Sequence, residues 1–256
     1  MQAKNREMLL YLSIKNHGDW SKIYADLVSN AFKNESEEDI KKAIDSITCD
    51  YITILDKEYP DYLKQGYHPP FVLFYKGNIN LLKDKSKVRL AILNTKEQSV
   101  EDYNIADYLL DESDEDFVFI TGATTNLDST ILIKGNPTIE VLPYPVDNVP
   151  YGKLNQVMRY NGLILSEYPT GTQETQDMHI TRNRIIASIA DYPLILSCKQ
   201  QSSSLMIVSY MLEQGKDILV VPQSPLRTEL CNNLLIGEGA IPVWNKDILK
   251  SATTKW

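Results

Sequence analysis

From Val88 onward, short apolar runs alternate with stretches whose apolar residues recur at helical spacing. The runs are VRLAIL, FVFIT, TIEVL, GLILS, YPLILS, DILVVP and AIPVW. The helical stretches lie at roughly 99–111, 127–134, 151–160, 182–190, 204–214 and 230–237. Near-continuous apolar strands that alternate with helices are typical of a mostly parallel sheet covered on both faces. Because crossovers are right-handed, we predict an α/β fold with an extended, Rossmann-like, doubly wound sheet.

The first 55 residues follow a different pattern. Their apolar residues recur at helical spacing in MLLYLSI, WSKIYADLVSNAF and EEDIKKAIDSI, and Ser36 before Glu37 is typical of a helix cap. A proline-rich connector then leads into PFVLFYKGN, which predicts a strand ending at Gly77. We therefore expect a small N-terminal helical module over 1–55, packed against a sheet domain over 56–250.

The acidity of the chain is concentrated in one segment. The net charge is −8, and Glu97 to Asp116 holds nine acids and no Lys or Arg, so the rest carries −8 + 9 = +1. A nucleic-acid partner is therefore not excluded, because partners respond to the local field. No apolar run reaches the ~18 residues of a membrane span and no secretion signal precedes the helices, which predicts a cytoplasmic protein. Three scattered cysteines and three scattered histidines predict neither disulfides nor a metal site.

Polar residues gather where the predicted strands end. Ligands of doubly wound sheets bind outside the carboxyl ends of the strands, so these residues predict a polar groove that accepts an anion. The alternative at each single position is an ordinary helix cap or turn. The residues that follow the first two strands are Asn94, Thr95, Lys96, Thr121, Gly122, Asn126 and Asp128, and Ser202, Ser203 and Ser204 precede a later helix.

Arg182 and Arg184 stand at the predicted opening of an apolar helix. A helix start carries partial positive charge, so two cations there are unfavourable unless an anion joins them. Free backbone N–H groups at a helix start also suit an anion such as phosphate. The alternative is that both long side chains reach water and bind nothing.

Several motifs of cofactor and enzyme chemistry are missing. No GxGxxG follows the first strand, and neither GxxxxGK[ST] nor GxSxG occurs. We therefore predict no nicotinamide cofactor, no P-loop nucleotide and no hydrolase nucleophile. Asp128 and Glu167 could form an acid/base pair, but capping by Asp128 and orientation of neighbours by Glu167 are the favoured interpretations. The chain is predicted not to be an enzyme.

Five segments carry a family resemblance from about Tyr59 to Val243. YPDYLKQGYHPPFVLFYKGN, GLILSEYPTGT, RNRIIASIA, SSSLMIVSYMLEQGKDILVVPQ and NNLLIGEGA resemble, in order and spacing, motifs of the DNA-processing protein A (DprA, or Smf) family. The resemblance implies an extended Rossmann fold that binds single-stranded DNA without catalysis. It further implies protection of incoming strands, help in loading the recombinase RecA during natural transformation, and a homodimer.

The family's phosphate-binding motifs map onto fifteen positions of this chain. Glycines of the family are replaced here by Asn94, Asn126, Ser203 and Gln223. The added Cβ atoms leave less room for a phosphate to approach the backbone. Asn can still adopt the positive φ that glycine allows. Bases are predicted to stack on Tyr144, Tyr151 or Tyr168. The matching positions are Asn94, Thr95, Lys96, Thr121, Gly122, Asn126, Asp128, Arg182, Asn183, Arg184, Ser202, Ser203, Ser204, Leu205 and Asn233.

Two rival functions stay open on the sequence. The altered glycines also fit a degenerate Rossmann protein that senses a nucleotide ligand. A phosphoribohydrolase of the lysine-decarboxylase-like type shares the fold class, but its PGGxGT loop does not occur here. If DNA is the ligand, the acidic segment is expected to face away from it.

Overall fold

The computed structural model describes residues 2–30, 35–95, 97–110, 116–122, 126–132 and 135–254. The N-terminal part holds α1 (Gln2–Lys15), α2 (Trp20–Ser29) and α3 (Glu37–Asp45). The side chain of Asp19 caps α2 by accepting from the Lys22 N–H, and the predicted cap Ser36 accepts from the Asp39 N–H. Both caps satisfy backbone donors that have no partner inside the helix.

The described residues form one nine-stranded sheet in the order β1-β2-β6-β5-β4-β3-β7-β8-β9. Strand β2 runs antiparallel to β1 and β6, and all other neighbours are parallel. The predicted fold class is therefore confirmed. The strands are β1 (Asp50–Thr53), β2 (Val72–Gly77), β3 (Val88–Leu93), β4 (Phe117–Thr121), β5 (Thr138–Val141), β6 (Leu163–Ser166), β7 (Tyr192–Ile195), β8 (Leu219–Val220) and β9 (Ile241–Pro242).

Strand β1 is the one strand that the sequence pattern does not indicate. It pairs with β2 through a register that includes Thr53 opposite Val72. Only Ile52 and Thr53 of its four residues are buried, so the strand is too short to show a periodic pattern. The division of the chain at residue 55 remains a prediction, although β1 on its N-terminal side belongs to the sheet.

Helices flank the sheet between the strands. The predicted helix 182–190 corresponds to a helix over Asn183–Ile189. A short helix over Gln176–Thr181, which the sequence pattern did not indicate, directly precedes it. The helices after β1 are α4 (Asp61–Lys64), α5 (Val100–Leu109), α6 (Asn126–Leu132), α7 (Tyr151–Arg159), α8 (Gln176–Thr181), α9 (Asn183–Ile189), α10 (Ser203–Glu213), α11 (Asn232–Gly237) and α12 (Lys246–Thr253), with 3₁₀ turns at Ile79–Leu82 and Val146–Asn148.

Both faces of the sheet are buried, as alternation along β3 shows. Leu90 and Ile92 belong to one apolar cluster, which includes Leu109 of α5. Ala91 and Leu93 point the other way, into the cluster that contains Ile186 of α9. A period of two residues therefore assigns successive side chains to opposite helical layers. No helix in the described part of the chain is long and apolar enough to cross a membrane.

The strand order places a topological switch point between β3 and β7. From β3 the chain builds outward through β4, β5 and β6, and it then returns to the other side of β3 with β7, β8 and β9. Connections after β3 and β7 therefore diverge at the carboxyl edge of the sheet and leave a crevice there. Open α/β sheets bind ligands in such a crevice.

The helical module packs against the β1–β2 end of the sheet. Leu9 and Leu10 of α1 share an apolar cluster with Val72 and Phe74 of β2. The indole N–H of Trp20 donates to the Pro69 carbonyl oxygen at 2.9 Å. The module is therefore fixed beside the turn that precedes β2.

Candidate functional site

A small pocket lies at the carboxyl ends of β3 and β4, beside the switch point. Its volume is about 60 Å³. Apolar residues of the strands, of α9 and of α10 form its floor. The predicted site residues that line this strand-end pocket are Asn94, Gly122, Asp128, Arg182, Asn183, Ser203 and Ser204. Folding thus brings together seven of the fifteen predicted positions.

The start of α10 forms one side of the strand-end pocket. Ser202 is the N-cap residue, and its side chain makes no capping hydrogen bond. The hydroxyl of Ser204 donates to the Asn94 carbonyl oxygen at 3.2 Å, and the Asn183 amide donates to the Ser203 carbonyl oxygen at 3.3 Å. The first turn of this 11-residue helix is thereby fixed at the pocket. The N–H groups of Ser203 and Ser204 in this turn carry partial positive charge and have no intrahelical partner.

Arg182 does not stand at an open helix start, which corrects the sequence prediction. Helix α8 precedes it, and the Arg182 N–H donates to the Met178 carbonyl oxygen at 3.0 Å. The side chain is 4% exposed, and its Nη1 donates to the carbonyl oxygens of Val141 and, at 2.6 Å, Gly122. Its Nε is buried without a hydrogen-bond partner among the described residues. Burial lowers the pKa of Arg182 to about 10, against the opposing effect of Asp128.

Gly122 allows the Arg182 guanidinium to approach the end of β4. A Cβ atom at Gly122 would lie 2.9 Å from Arg182 Nη2 and 3.1 Å from Nη1. Real Cβ atoms rarely come so close to other heavy atoms, so a larger residue would displace the guanidinium. Gly122 therefore leaves room for the Arg182 guanidinium at the end of β4.

Arg184 is committed to an internal ion pair, which also corrects the prediction. Its Nη1 and Nη2 lie 2.7 and 2.5 Å from the two carboxylate oxygens of Glu167. Its Nε donates to the His68 carbonyl oxygen at 3.0 Å, and the side chain is 3% exposed. A bidentate pair of this kind leaves the guanidinium no free face for a phosphate. Glu167 thus orients Arg184, in line with the favoured interpretation of that carboxylate.

A second buried carboxylate, Glu140, was missed in the sequence. It belongs to β5, whose four residues are all buried, and its Oε1 lies 3.2 Å from Lys153 Nζ. Burial raises the pKa of Glu140 to about 7, although Lys153 acts in the opposite direction. Asp128 and Arg182 also act on this carboxyl group. The sequence does indicate this site, because TIEV places one acid between two apolar residues of a predicted buried strand.

Other predicted site residues lie outside the strand-end pocket. Thr95 closes the loop after β3, since its N–H donates to Ser197 Oγ at 3.3 Å and its hydroxyl to the Glu97 carbonyl oxygen at 2.7 Å. Leu205 packs against the core, and Thr121 is buried at the end of β4. Asn233 exchanges hydrogen bonds of 3.0 and 2.8 Å with the Gln223 backbone. Lys96 and the side chain of Asn126 lie outside the described residues.

The predicted stacking tyrosines have different environments. Tyr168 is 4% exposed, so it offers no open face for a base. Tyr144 is half-buried, and Tyr151 on α7 is 78% exposed.

Some acids of the acidic segment form contacts with other parts of the fold. Asp102 is buried, forms a capping box with Ser99 and lies 3.3 Å from Arg227 Nη1. Glu97 lies 2.5 Å from Lys199 Nζ. Residues 111–115 of the segment lie outside the described part of the chain.

The fold and the strand-end pocket define a class: a Rossmann-like protein with a polar pocket beside its switch point. The family model of DNA recombination-mediator protein A matches residues 50–253. This chain therefore belongs to the DNA recombination-mediator protein A family. The match starts at the first residue of β1, the strand that the sequence pattern does not indicate.

Individual relatives agree with this membership. The chain is 32% identical over 198 residues to the DNA processing protein DprA of Streptococcus pneumoniae, which covers 73% of this chain and 68% of that relative. It is 30% identical over 209 residues to the DprA of Bacillus subtilis, which covers 77% of this chain and 68% of that relative. The predicted DprA/Smf resemblance is thereby confirmed, with a DprA-like role in DNA processing. Neither rival function is favoured by these matches.

Solved structures show the same fold. The X-ray structure of DprA from Streptococcus pneumoniae superposes with a TM-score of 0.76 at 26% identity, over 98% of this chain and 94% of the other. The DNA processing protein A of Helicobacter pylori, described for its single-stranded DNA binding mode, gives a TM-score of 0.65 at 22% identity, over 80% and 94%. The second likeness bears on the fold alone.

Proposed function

We propose that this chain binds single-stranded DNA through its phosphates at the strand-end pocket. The observation that carries the proposal is the convergence of seven family-motif residues on one pocket beside the switch point. The described binding of single-stranded DNA by the Helicobacter pylori relative supports the choice of ligand. Phosphate contacts position a strand without reading its sequence.

The groups that would meet a phosphate are neutral donors and a small number of cations. In this proposal the first-turn N–H groups of α10 and the Ser203 hydroxyl donate to the phosphate oxygens. Arg182 Nε, which has no partner among the described residues, adds a charged donor. Lys96 supplies further positive charge from the loop after β3. Arg184 is paired with Glu167, so it is not one of the groups that bind the phosphate in this proposal.

The size of the pocket favours a backbone phosphate over a whole nucleotide. Sites for drug-sized ligands span roughly 300–1,000 Å³. The strand-end pocket offers about 60 Å³. A nucleotide sensor would need more room there, whereas a single phosphate of a continuous strand can enter while its base and sugar stay outside.

The wider role follows the family resemblance. In the proposal the protein is a cytoplasmic binding protein and not an enzyme. It protects incoming strands and assists loading of RecA in DNA uptake, with RecA and a second copy of this chain as protein partners.

The first prediction uses fluorescence anisotropy of a labelled oligo-dT with the wild-type chain at two salt concentrations. Phosphate binding to a single strand gives a logarithmic salt slope near −0.7 per contact, so about three contacts predict a roughly 20-fold weaker affinity at 200 mM than at 50 mM salt. Ser203→Asp places a carboxylate at the pocket mouth while suiting the helix start. It should weaken binding about tenfold or more, because like charges then face each other.

Ser251→Asp is the matched control. Ser251 is exposed on α12, whose last residues line a cavity with the amino ends of β3 and β4, at the opposite edge of the sheet. The same charge change there should leave the affinity within about twofold of wild type. Absent binding at low salt by a folded wild-type chain, or a greater loss in Ser251→Asp than in Ser203→Asp, would contradict the proposal.

A further inference from the structure

A larger cleft lies between the helical module and the sheet domain. It encloses about 500 Å³ and is lined by the turn between α1 and α2, by the turn before β2, and by parts of α8 and α10. Its aromatic side chains are His17, Trp20, Tyr67, His68, Tyr168 and Tyr210. No residue that was predicted from the sequence to contact phosphate lines this aromatic cleft except Arg184, which is paired with Glu167.

Stacked rings run through the aromatic cleft from one domain to the other. The Trp20 and His68 ring centroids are 3.9 Å apart at 7°, and those of Tyr67 and His68 are 4.0 Å apart at 22°. Tyr24 continues the stack beyond Trp20 at 5.1 Å, and Tyr210 continues it beyond Tyr67 at 5.6 Å. Tyr24 and Tyr67 are 52% and 51% exposed. Half-exposed rings in a parallel stack offer π surface to a further planar group.

The backbone of the stack is held in an uncommon conformation. His68 has a φ of 46°, in the left-handed region, and His17 on the facing turn has a φ of 53°. Such conformations cost of order 1–3 kcal/mol and persist where the surroundings enforce them. Here Arg184 Nε donates to the His68 carbonyl oxygen while Glu167 holds the guanidinium. Arg184 is thus a positioning residue for the ring of His68.

The charges of the cleft suit a base better than a phosphate. Lys22 lies 3.4 Å from Asp19, and Arg184 is neutralised by Glu167, so two of its cations already have carboxylate partners. Asp177 adds a further acid to the lining. An anion gains little in such surroundings, whereas an uncharged planar ring gains from stacking.

The cleft connects to the strand-end pocket along α10. A groove of about 360 Å³ shares Ile180 with the cleft and Ser203 with the pocket. Ser203 and Met206 of this groove and Tyr210 of the cleft are spaced i, i+3 and i+7, so they follow one face of the helix. Seven residues of helix rise by about 10 Å, which is close to three phosphate spacings of a stacked strand. A strand with a phosphate in the pocket therefore has a route that carries neighbouring bases into the cleft.

We propose that the aromatic cleft stacks nucleobases of the same single strand whose phosphate enters the strand-end pocket. This inference rests on the proposed function and adds a second, base-dependent contact to it. The bases lie against Tyr67 and Tyr210 at the open end of the ring stack, because Trp20 and Tyr67 already cover the two faces of His68. The fluorescence of Trp20 reports their binding.

The second prediction compares oligo-dT with an abasic oligomer of the same length, which keeps the phosphates and lacks the bases. In a Trp244→Phe/Trp256→Phe background, Trp20 is the one remaining tryptophan. Oligo-dT should quench its fluorescence and bind more tightly than the abasic oligomer. Tyr67→Ala should weaken oligo-dT between about 5- and 150-fold, the range of one lost base stack, and leave abasic affinity and the salt slope unchanged.

Two variants control for folding and for location. Tyr67→Phe keeps the ring and should bind like wild type. Tyr108→Ala removes a tyrosine that is 57% exposed on α5, outside the cleft, and should have no effect. If both oligomers bind equally and Tyr67→Ala changes neither, the inference is overturned while the proposed function stands. If neither oligomer binds wild type, the proposed function fails and the inference fails with it.

Discussion

At the residue scale, buried charges determine which side chains remain available to a ligand. Arg184 looked like a phosphate ligand in RNR, yet Glu167 neutralises it in the interior. Arg182 is equally buried but keeps one unpartnered donor among the described residues, Nε. Breaking a buried pair leaves an uncompensated charge that costs about 3–5 kcal/mol. An Arg184→Ala variant would therefore test folding and not DNA contact, which is why the binding test above uses Ser203.

The third prediction concerns the pH dependence of stability through Glu140. Folding raises its pKa from 4.5 to about 7, chiefly by burial. Between these pH values the carboxyl group of Glu140 is deprotonated in the unfolded chain and protonated in the folded chain. Its contribution to the unfolding free energy is therefore complete below pH 4.5 and is lost as the pH rises to about 7. Glu140→Gln removes this titration. From pH 5 to pH 8 its unfolding free energy should rise relative to wild type by about 2–3 kcal/mol.

Urea unfolding of both proteins at the two pH values measures this difference. Glu213→Gln changes an exposed glutamate on α10 in the same way and should show no such relative gain. A difference between Glu140→Gln and wild type that stays constant from pH 5 to pH 8 would refute the burial effect.

At the element scale, the carboxyl ends of the strands are held by one buried amide. Asn232 at the start of α11 donates to the carbonyl oxygens of Leu196 and Val221 at 3.1 and 2.9 Å. Its Oδ1 accepts from the Cys198 N–H at 2.9 Å. The residue therefore ties the ends of β7 and β8 together beside the switch point. The family motif pointed to its neighbour Asn233, which is exposed and bonds only within the loop after β8.

The fourth prediction compares the two neighbouring asparagines. Asn232→Ala leaves one N–H and two carbonyl groups without their side-chain partner in the interior and should lower the unfolding free energy by about 2–4 kcal/mol. Asn233→Ala exposes its partners to water and should cost about 1 kcal/mol or less. Chemical denaturation of each variant measures the cost. Equal losses would show that the buried amide does not have the bracing role assigned to it.

Elements with strong local patterns were predictable, and elements decided by tertiary contacts were not. VRLAIL and FVFIT match β3 and β4 residue for residue, because central parallel strands covered on both faces are mostly apolar. Strand β1 has four residues and depends on pairing with β2. The sequence pattern placed the start of α9 correctly but gave no sign of α8, because QDMHIT holds two apolar residues that do not recur at helical spacing.

At the scale of the whole molecule, the two edges of the sheet differ in the groups that could bind DNA. The carboxyl edge carries the strand-end pocket and the positive end of α10. The amino edge carries a cavity of about 270 Å³ lined by Lys85, Lys87 and Lys250, together with Asp116. The sequence predicted the first edge from topology and motif position. Its charge count gave no reason to expect lysines at the second edge, since their meeting depends on how the chain folds.

The choice between the two edges is tested most directly by hydrogen–deuterium exchange of the wild-type chain, with and without saturating oligo-dT. The N–H groups of Ser203 and Ser204 at the start of α10 have no intrahelical acceptor, so they exchange quickly in the free protein and should slow when a phosphate accepts their hydrogen bonds. We predict protection of residues 203 and 204, with exchange at 85–88 unchanged. Protection at 85–88 with no change at 203 and 204 would contradict phosphate binding at the carboxyl edge.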